Sequence, residues 1–152
     1  MITYIKKDIT TVERGIVLHG CNARGKQGSG VALAVRNKWP TEYTEYAKLC
    51  EEFKDNAMSL LGYLQLVEVG RGLFVGNAIT QLNYGYDGGV YADIDAVKSS
   101  LTRAVLEAKE RELPLYLPRI GCGLGGLSWE KQVGPILEQL NSKDVDIYVC
   151  DL

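Results

Sequence analysis

Two glycine-rich segments hold most of the residues in this chain that could do chemistry. One runs from Gly20 to Gly30 and the other from Gly121 to Gly126, and each follows a strand-like apolar stretch and precedes a helical pattern. Glycine lets a backbone approach a ligand closely, and the amides of a helix N-terminus favour phosphate. Because loops that follow parallel strands emerge at one edge of a sheet, the two segments predict a shared site for a diphosphate or nucleotide. Two strand-to-helix turns without a ligand are the alternative.

Histidine and cysteine are scarce and scattered. The one histidine is His19, so any catalysis that depends on histidine must use it. The four cysteines, Cys21, Cys50, Cys122 and Cys150, form no CxxC pair. A structural zinc site is therefore not expected, and neither a metal nor a cofactor is predicted. Four free thiols are typical of a reducing compartment, which favours a cytoplasmic location.

Two other phosphate-binding patterns are nearly met. The stretch from Gly20 to Lys26 fits a P-loop, but Gln27 stands where a Ser or Thr would hold magnesium. A cysteine-phosphatase loop needs Arg six positions after the Cys, and those positions hold Gln27 and Ser128. The P-loop stays open as an alternative, whereas the cysteines are expected to be small buried residues.

The elements around these segments alternate between strand and helix. Strand-like runs cover residues 2–5, 15–18, 63–69, 73–79, 115–117 and 145–149. Helical patterns cover 31–38, 43–53, 94–108 and a last segment that begins near residue 128. Asp93 is the expected N-cap of the third helix, Gly134–Pro135 should kink or split the last one, and a hairpin is expected at Gly70–Gly72. The pattern predicts an α/β fold with a mostly parallel sheet covered on both faces.

Composition excludes several classes of protein. The chain has 152 residues, which predicts one domain over 1–152, and 17 basic against 19 acidic residues, a net charge of −2. That balance excludes a strongly basic nucleic-acid binder, so no bulk nucleic-acid binding is expected. No apolar run reaches the roughly 18 residues of a membrane span, and the charged start is unlike a signal peptide, so no membrane partner is expected. The oligomeric state stays open, with a monomer as the expectation.

Three separated motifs resemble the macro-domain family of the Appr-1''-p processing type, an ADP-ribose-binding α/β module. They are Thr3–Ile9, Val17–Asn22 followed by Gly28–Ala32, and Pro118–Gly126. They occur in the family's order and span nearly the whole chain. The resemblance implies a three-layer fold, with a mixed six-stranded sheet flanked by helices on both faces, and a small-molecule ADP-ribose derivative as the ligand.

Within that family, the chain is most similar to the ADP-ribose 1''-phosphate phosphatase branch. This likeness rests on His19, Cys21–Asn22, Lys38–Pro40, Tyr46, Cys50–Glu51 and Trp129. The second glycine segment also resembles the branch that removes ADP-ribose from protein glutamates, but the Lys and Asp of that branch are replaced by Gln81 and Gly125. The resemblance therefore implies a phosphatase, a phosphoric monoester hydrolase. An ADP-ribosyl hydrolase acting on protein or nucleic acid, and a non-catalytic reader of ADP-ribose, are the alternatives.

The resemblance also implies roles for individual residues. Asp8 would accept a hydrogen bond from the adenine amino group, with Ile9 beside the base, unless Asp8 is only a turn residue. Asn22 would hold the distal ribose hydroxyls, unless it forms an Asx turn. His19 would activate water or protonate the leaving oxygen, unless it holds a neighbouring loop. The implied catalytic residues are His19 and Asn22, and the implied binding set is Asp8, Ile9, Cys21, Asn22, Ala23, Gly28, Ser29, Gly30, Val31, Ala32, Gly121, Cys122, Gly123, Leu124, Gly125 and Gly126.

One further loop, Thr80 to Val90, is long and rich in glycine and tyrosine. Such a loop fits a mobile lid over the distal ribose or a plain connection. Trp39 and Trp129 are expected to be core anchors beside the site rather than contacts to adenine.

Overall fold

The computed structural model describes all 152 residues and contains one six-stranded sheet. The strands are β1 (Ile2–Lys6), β2 (Gly15–Asn22), β3 (Leu64–Gly70), β4 (Leu73–Gln81), β5 (Leu115–Leu117) and β6 (Ile147–Asp151). Their order is β1-β6-β5-β2-β4-β3. Every neighbouring pair is parallel except β3 and β4, which form an antiparallel hairpin. The predicted mixed sheet and the hairpin at Gly70–Gly72 are both confirmed.

Four α-helices cover the sheet on both faces. They are α1 (Gly30–Lys38), α2 (Pro40–Glu52), α3 (Ile94–Arg111) and α4 (Gly134–Gln139), with short 3₁₀ segments at Ile9–Thr11 and Lys54–Leu60. The expected N-cap of α3 is confirmed, because the Asp93 carboxylate accepts from the Ala96 amide at 3.0 Å. The last helical segment is split as expected, since a π-helical turn at Trp129–Val133 precedes α4. None of these helices combines the length and apolar character that crossing a membrane requires.

Side chains alternate between two cores along the central strand β2, as the pleat requires. Ile16 and Leu18 belong to a cluster of 21 buried residues between the sheet, α3 and α4. Val17 and Cys21 face the opposite layer, where α1 and α2 cover two smaller clusters. This arrangement confirms the three-layer fold.

Both tryptophans belong to these cores. Trp39 is buried with the cluster under α1, and Trp129 is buried with the cluster under α3 and α4. Their indole rings therefore pack against the sheet from opposite sides, which confirms that they are core residues. That they make no contact with adenine stays a prediction.

The central strands are longer than their apolar runs. The apolar pattern ends at residue 18, but β2 continues to Asn22, and its partner β4 continues to Gln81. The extension is possible because His19 on β2 lies opposite Asn77 on β4, where the two polar side chains hydrogen-bond to each other. The paired strands β2 and β4 therefore place polar residues in the interior. They end at the sheet edge from which the first glycine segment leaves.

Candidate functional site

A cleft of about 490 Å³ opens where β2, β4 and β5 end. That volume is in the range of small-molecule sites. Ser29, at the start of α1, and Leu124, in the second glycine segment, both line it. The expectation that the two glycine segments share one site is therefore confirmed.

The walls of this cleft present backbone amides that make no hydrogen bond within the protein. On one wall these are the amides of residues 28–32, at the first turn of α1, where the Ser29 side chain provides no cap. On the other wall they include the amides of Gly123, Leu124 and Gly125. Amides at the start of a helix carry partial positive charge. Two facing sets of free donors can hold an anion with at least two phosphate-like groups.

The glycines of these walls differ in the space around them. A Cβ added at Gly28 or Gly123 would meet no protein atom within 4 Å, so both positions border open space. A Cβ at Gly125 would lie 2.6 Å from the carbonyl oxygen of Gly121, which is a collision. A side chain at position 125 would therefore require the loop backbone to move.

Asn22 lines the cleft and at the same time holds the first glycine segment together. Its Oδ1 accepts from the Arg24 amide at 2.9 Å and from the Tyr46 hydroxyl at 3.0 Å, and its Nδ2 donates to the Lys26 carbonyl at 2.8 Å. The Asx turn that the sequence left open is present. A role for Asn22 toward a ribose stays a prediction.

Helix α2 anchors this segment at further points along one helical face. The Tyr43 hydroxyl donates to the Gly25 carbonyl at 3.1 Å. The Gln27 amide donates to Glu42 Oε1 at 2.7 Å, with both side chains fully buried. Together with the Tyr46 bonds, these contacts fix the path of the chain between β2 and α1.

His19 lies at the floor of the cleft with its side chain only 1% exposed. Its Nε2 donates to Asn77 Oδ1 at 2.6 Å, and the orientation of that amide is set by a second bond from Asn77 Nδ2 to Gln65. Burial lowers the pKa of His19 to about 4, against the weaker opposite effect of the Asn77 bond. The imidazole is therefore neutral at neutral pH, and its hydrogen bond joins it to the neighbouring strand β4 rather than to a loop. A catalytic role for His19 stays a prediction.

The thiols and the P-loop pattern carry no phosphate chemistry here. Burial raises the pKa of the Cys21 thiol well above its usual value, and burial also raises the pKa of Cys122. Neither is a thiolate nucleophile at neutral pH. Gly20 lies inside β2, paired with Ala78, so the GxxxxGK stretch does not form a phosphate loop.

Two cationic side chains line the cleft, and they differ in their partners. Arg119 makes a bidentate ion pair with Asp151, at 2.9 and 3.1 Å, which raises the pKa of Arg119 and lowers that of Asp151. Lys26 makes no ion pair with a carboxylate. The electrostatic attraction for an anion therefore comes from Lys26 and the free amides.

The loop between β4 and α3 forms part of the cleft wall. Tyr84–Tyr86 line it, and the Tyr86 hydroxyl donates to Ser29 Oγ at 3.3 Å. At its other end, the Tyr91 amide donates to the Gly125 carbonyl at 2.9 Å. The loop thus contacts both glycine segments. A mobile lid over the distal ribose stays a prediction. Its glycines and tyrosines were the sequence signal for this position.

Eleven residues of the implied binding set surround the cleft, and five do not. Those that line it are Cys21, Asn22, Gly28, Ser29, Gly30, Val31, Ala32, Gly121, Gly123, Leu124 and Gly125. Those outside its lining are Asp8, Ile9, Ala23, Cys122 and Gly126. The loop from Thr80 to Val90 adds Thr80, Gln81, Tyr84, Gly85 and Tyr86 to the lining. Lining residues that sequence reasoning did not single out as ligand contacts are Gly20, Lys26, Pro118, Arg119 and Ile120.

The segment that holds Asp8 and Ile9 adjoins α1 rather than the cleft itself. Asp8 Oδ1 accepts from the Thr10 amide at 2.9 Å and from its hydroxyl at 2.7 Å, and these bonds lower the Asp8 pKa. The turn role that the sequence left open for Asp8 is therefore present. Ile9 is buried in the cluster against which Val31 packs. A role of either residue toward adenine stays a prediction.

Comparison with known proteins places this geometry in a family. No protein-family model matches the chain. A protein of unknown function from Bacteroides thetaiotaomicron is 32% identical over 100% of this chain and 98% of its own, with a TM-score of 0.86. A macrodomain protein from Streptomyces coelicolor is 29% identical, covers 100% and 99% of the two chains, and has a TM-score of 0.82. The chain is a macro domain.

Two kinds of curated relative match this macro domain along its length. The "ADP-ribose 1''-phosphate phosphatase" of Candida albicans is 27% identical over 98% of this chain and 99% of its own. The "DNA ADP-ribosyl glycohydrolase" of Mycobacterium tuberculosis is also 27% identical, over 97% of this chain but 42% of its own. The macro domain therefore spans the whole of the first relative and less than half of the second.

Proposed function

We propose that this macro domain binds ADP-ribose 1''-phosphate and hydrolyses it to ADP-ribose and phosphate. The observation that carries the proposal is the pair of facing amide walls around a single cleft. The full-length similarity to the Candida albicans phosphatase supports it. In the reaction, water attacks the terminal phosphorus, the bond from phosphorus to the C1'' oxygen breaks, and that oxygen takes a proton.

The two glycine segments would hold the diphosphate through backbone amides. The start of α1, residues 28–32, provides one set, and residues 121–126 provide the other, with Lys26 adding a positive charge near the first. Asp8 Oδ2, which makes no hydrogen bond to the protein, is placed in this proposal to accept from the adenine amino group, with Ile9 beside the base. Asn22 would orient the distal ribose, because it both lines the cleft and fixes the loop.

His19 would act on the terminal phosphate as a neutral imidazole. With Nε2 donating to Asn77, its second nitrogen, Nδ1, carries the lone pair that can accept a proton from the attacking water. The alternative for His19 is structural, because its bond to Asn77 joins β2 to β4. The two roles differ in kinetics, because loss of a base lowers kcat whereas loss of a structural bond acts through stability.

Removal of ADP-ribose from protein or nucleic acid is the second activity to be tested, and binding without turnover is the third. The Lys and Asp of the glutamate-directed branch have no counterpart at Gln81 and Gly125, and position 125 has no space for a side chain. This absence favours the phosphomonoester reaction over that branch's chemistry.

The deciding experiment measures phosphate release from ADP-ribose 1''-phosphate, with and without a chelator. We expect release in both, since the cleft binds through amides and contains no cluster of His, Cys, Asp or Glu able to hold a metal ion. Loss of label from an ADP-ribosylated protein or DNA, without phosphate release, would assign the second activity. If neither assay detects activity and ADP-ribose still binds, the protein is a non-catalytic reader of ADP-ribose. If ATP with magnesium raises the melting temperature and ADP-ribose does not, the P-loop alternative is supported instead.

The setting of the activity is part of the same proposal. We propose that residues 1–152 act as one macro domain, as a monomer in the cytoplasm. Four free cysteines, three of them buried, support a reducing compartment.

A further inference from the structure

A group of buried polar side chains lies beneath the cleft, between β2, β4 and α2. Its members are His19, Cys21, Gln27, Glu42 and Asn77, each less than 5% exposed. A glutamate in the first turn of a helix ordinarily points into water, and burying a polar group without partners is costly. Four buried polar side chains and one thiol in one place therefore require an explanation that packing alone does not provide.

Gln27 is the member that connects this group to the cleft. It directly precedes Gly28, the first residue of the amide wall. Its Nε2 donates to Glu42 Oε1 at 2.7 Å and approaches Cys21 Sγ at 3.8 Å, so both amide hydrogens point inward. The side chain thus pins the backbone at the point where the wall begins.

Glu42 connects the Gln27 side chain to the sheet. Its Oε1 lies 3.9 Å from His19 Nε2, and His19 is bonded to Asn77 on β4. Two buried atoms of the pair, Gln27 Oε1 and Glu42 Oε2, have no hydrogen-bond partner. Since unsatisfied buried atoms are destabilising, the pair is not an arrangement that maximises stability.

We propose that Gln27 and Glu42 are positioning residues for the amide wall at the start of α1. They set where the amides of residues 28–32 stand relative to the second glycine segment, and they do so without touching the ligand. The expected change in ADP-ribose affinity rests on the proposed function, whereas the expected change in the first glycine segment does not.

The test compares Gln27→Ala, Glu42→Ala and Glu42→Gln with a control, Val105→Ala. Val105 is buried in α3 on the opposite face of the sheet, so its truncation loses stability without reaching the first glycine segment. Two measurements are made well below the melting temperature of every variant. One is amide hydrogen exchange in the ligand-free protein at Arg24, Lys26 and Leu33, the hydrogen-bonded amides on either side of Gln27. The other is the Kd for ADP-ribose.

We expect Gln27→Ala and Glu42→Ala to speed exchange at Arg24, Lys26 and Leu33, because a loosened segment opens their hydrogen bonds more often. We also expect ADP-ribose binding to weaken roughly tenfold or more, because a displaced wall loses charge-assisted bonds. Glu42→Gln keeps an acceptor for Gln27 and should restore both readouts to near the wild-type values. Val105→Ala should change neither.

The outcomes separate the inference from the proposed function. Unchanged exchange at Arg24, Lys26 and Leu33 in Gln27→Ala overturns the inference, and so does an unchanged Kd when the wild type binds. If the wild-type protein does not bind ADP-ribose, the proposed function fails and exchange alone decides the inference. A loss in Val105→Ala equal to that in Gln27→Ala also overturns it, because the effect would then be general destabilisation.

Discussion

The single histidine makes acid stability a direct test of the interior beneath the cleft. We predict that the free energy of unfolding falls as the pH is lowered from about 6.5 to about 4, and that His19→Gln removes much of this fall. The pKa of His19 is 6.5 in an unfolded chain and is lowered by burial to about 4 in the folded protein. Between these values the unfolded state binds a proton that the folded state does not, so stability rises with pH across the window.

The size of this effect follows from the two pKa values. At 1.36 kcal/mol for each pKa unit, the difference between 6.5 and 4 corresponds to about 3 kcal/mol. This contribution is complete above pH 6.5, is lost as the pH falls to 4, and changes little below that. Since a domain of this kind is stable by about 5–15 kcal/mol in total, the loss is large enough to measure.

Glu42 opposes this trend and must be separated from it. Burial raises the pKa of Glu42, so the folded state keeps a proton that the unfolded state releases above about pH 4.5. Its contribution to stability is therefore present at low pH and is lost as the pH rises through the raised pKa. Because Glu42 is present in both proteins, subtracting the His19→Gln curve from the wild-type curve leaves mainly the contribution of His19.

The measurement is urea unfolding at several pH values from 4.5 to 7, followed by fluorescence of the two buried tryptophans. Gln is the replacement of choice because its amide can still donate to Asn77. The wild-type curve should fall more steeply toward acid than the His19→Gln curve. Parallel curves would show that His19 titrates in the folded protein as it does in water, and the account of a buried neutral imidazole would be wrong.

Three further predictions concern the cleft walls. Gly28→Ala and Gly123→Ala should fold with unchanged thermal stability. They should bind ADP-ribose roughly ten- to a hundredfold more weakly, because the added methyl group enters space open to the ligand. Full affinity in calorimetry would contradict this prediction. Gly125→Ala should lose about 1–3 kcal/mol of stability in urea, since its Cβ would lie 2.6 Å from the Gly121 oxygen, and an unchanged unfolding midpoint would refute the collision. Asn22→Ala should cost about 1–3 kcal/mol because it removes the side-chain bonds to the Arg24 amide and the Lys26 carbonyl. The Tyr46 hydroxyl keeps the Asn22 carbonyl as its acceptor, and the same unfolding experiment decides the prediction.

The fold could be predicted largely because its signals are local. Apolar runs locate all six strands, and Asp93 and Gly134–Pro135 mark helix boundaries through capping and proline chemistry that acts within a few residues. The ends of the strands could not be placed in the same way. β2 continues past its apolar run because His19 meets Asn77, which lies 58 residues away in the chain.

The site was predictable to the same extent and for the same reason. Glycine segments after strands indicated two walls and one cleft, and these lie where the sequence indicated. The buried pair Gln27 and Glu42 was missed, since a glutamate near the start of a helix gives a pattern typical of an exposed residue. Only the packing of α2 against the end of β2 turns that glutamate inward, and no pattern within one helix contains this information.

The donors that line the cleft belong to the main chain, and this has a consequence for how the site can change. A peptide N–H is present whatever side chain its residue carries, so few substitutions can delete such a donor outright. The site can be spoiled only by filling it, by proline, or by moving the backbone. A ligand or inhibitor that binds these amides should therefore lose little affinity when side chains around the cleft are substituted. Substitutions at the rim of the cleft instead change its shape, and with it the anions that fit.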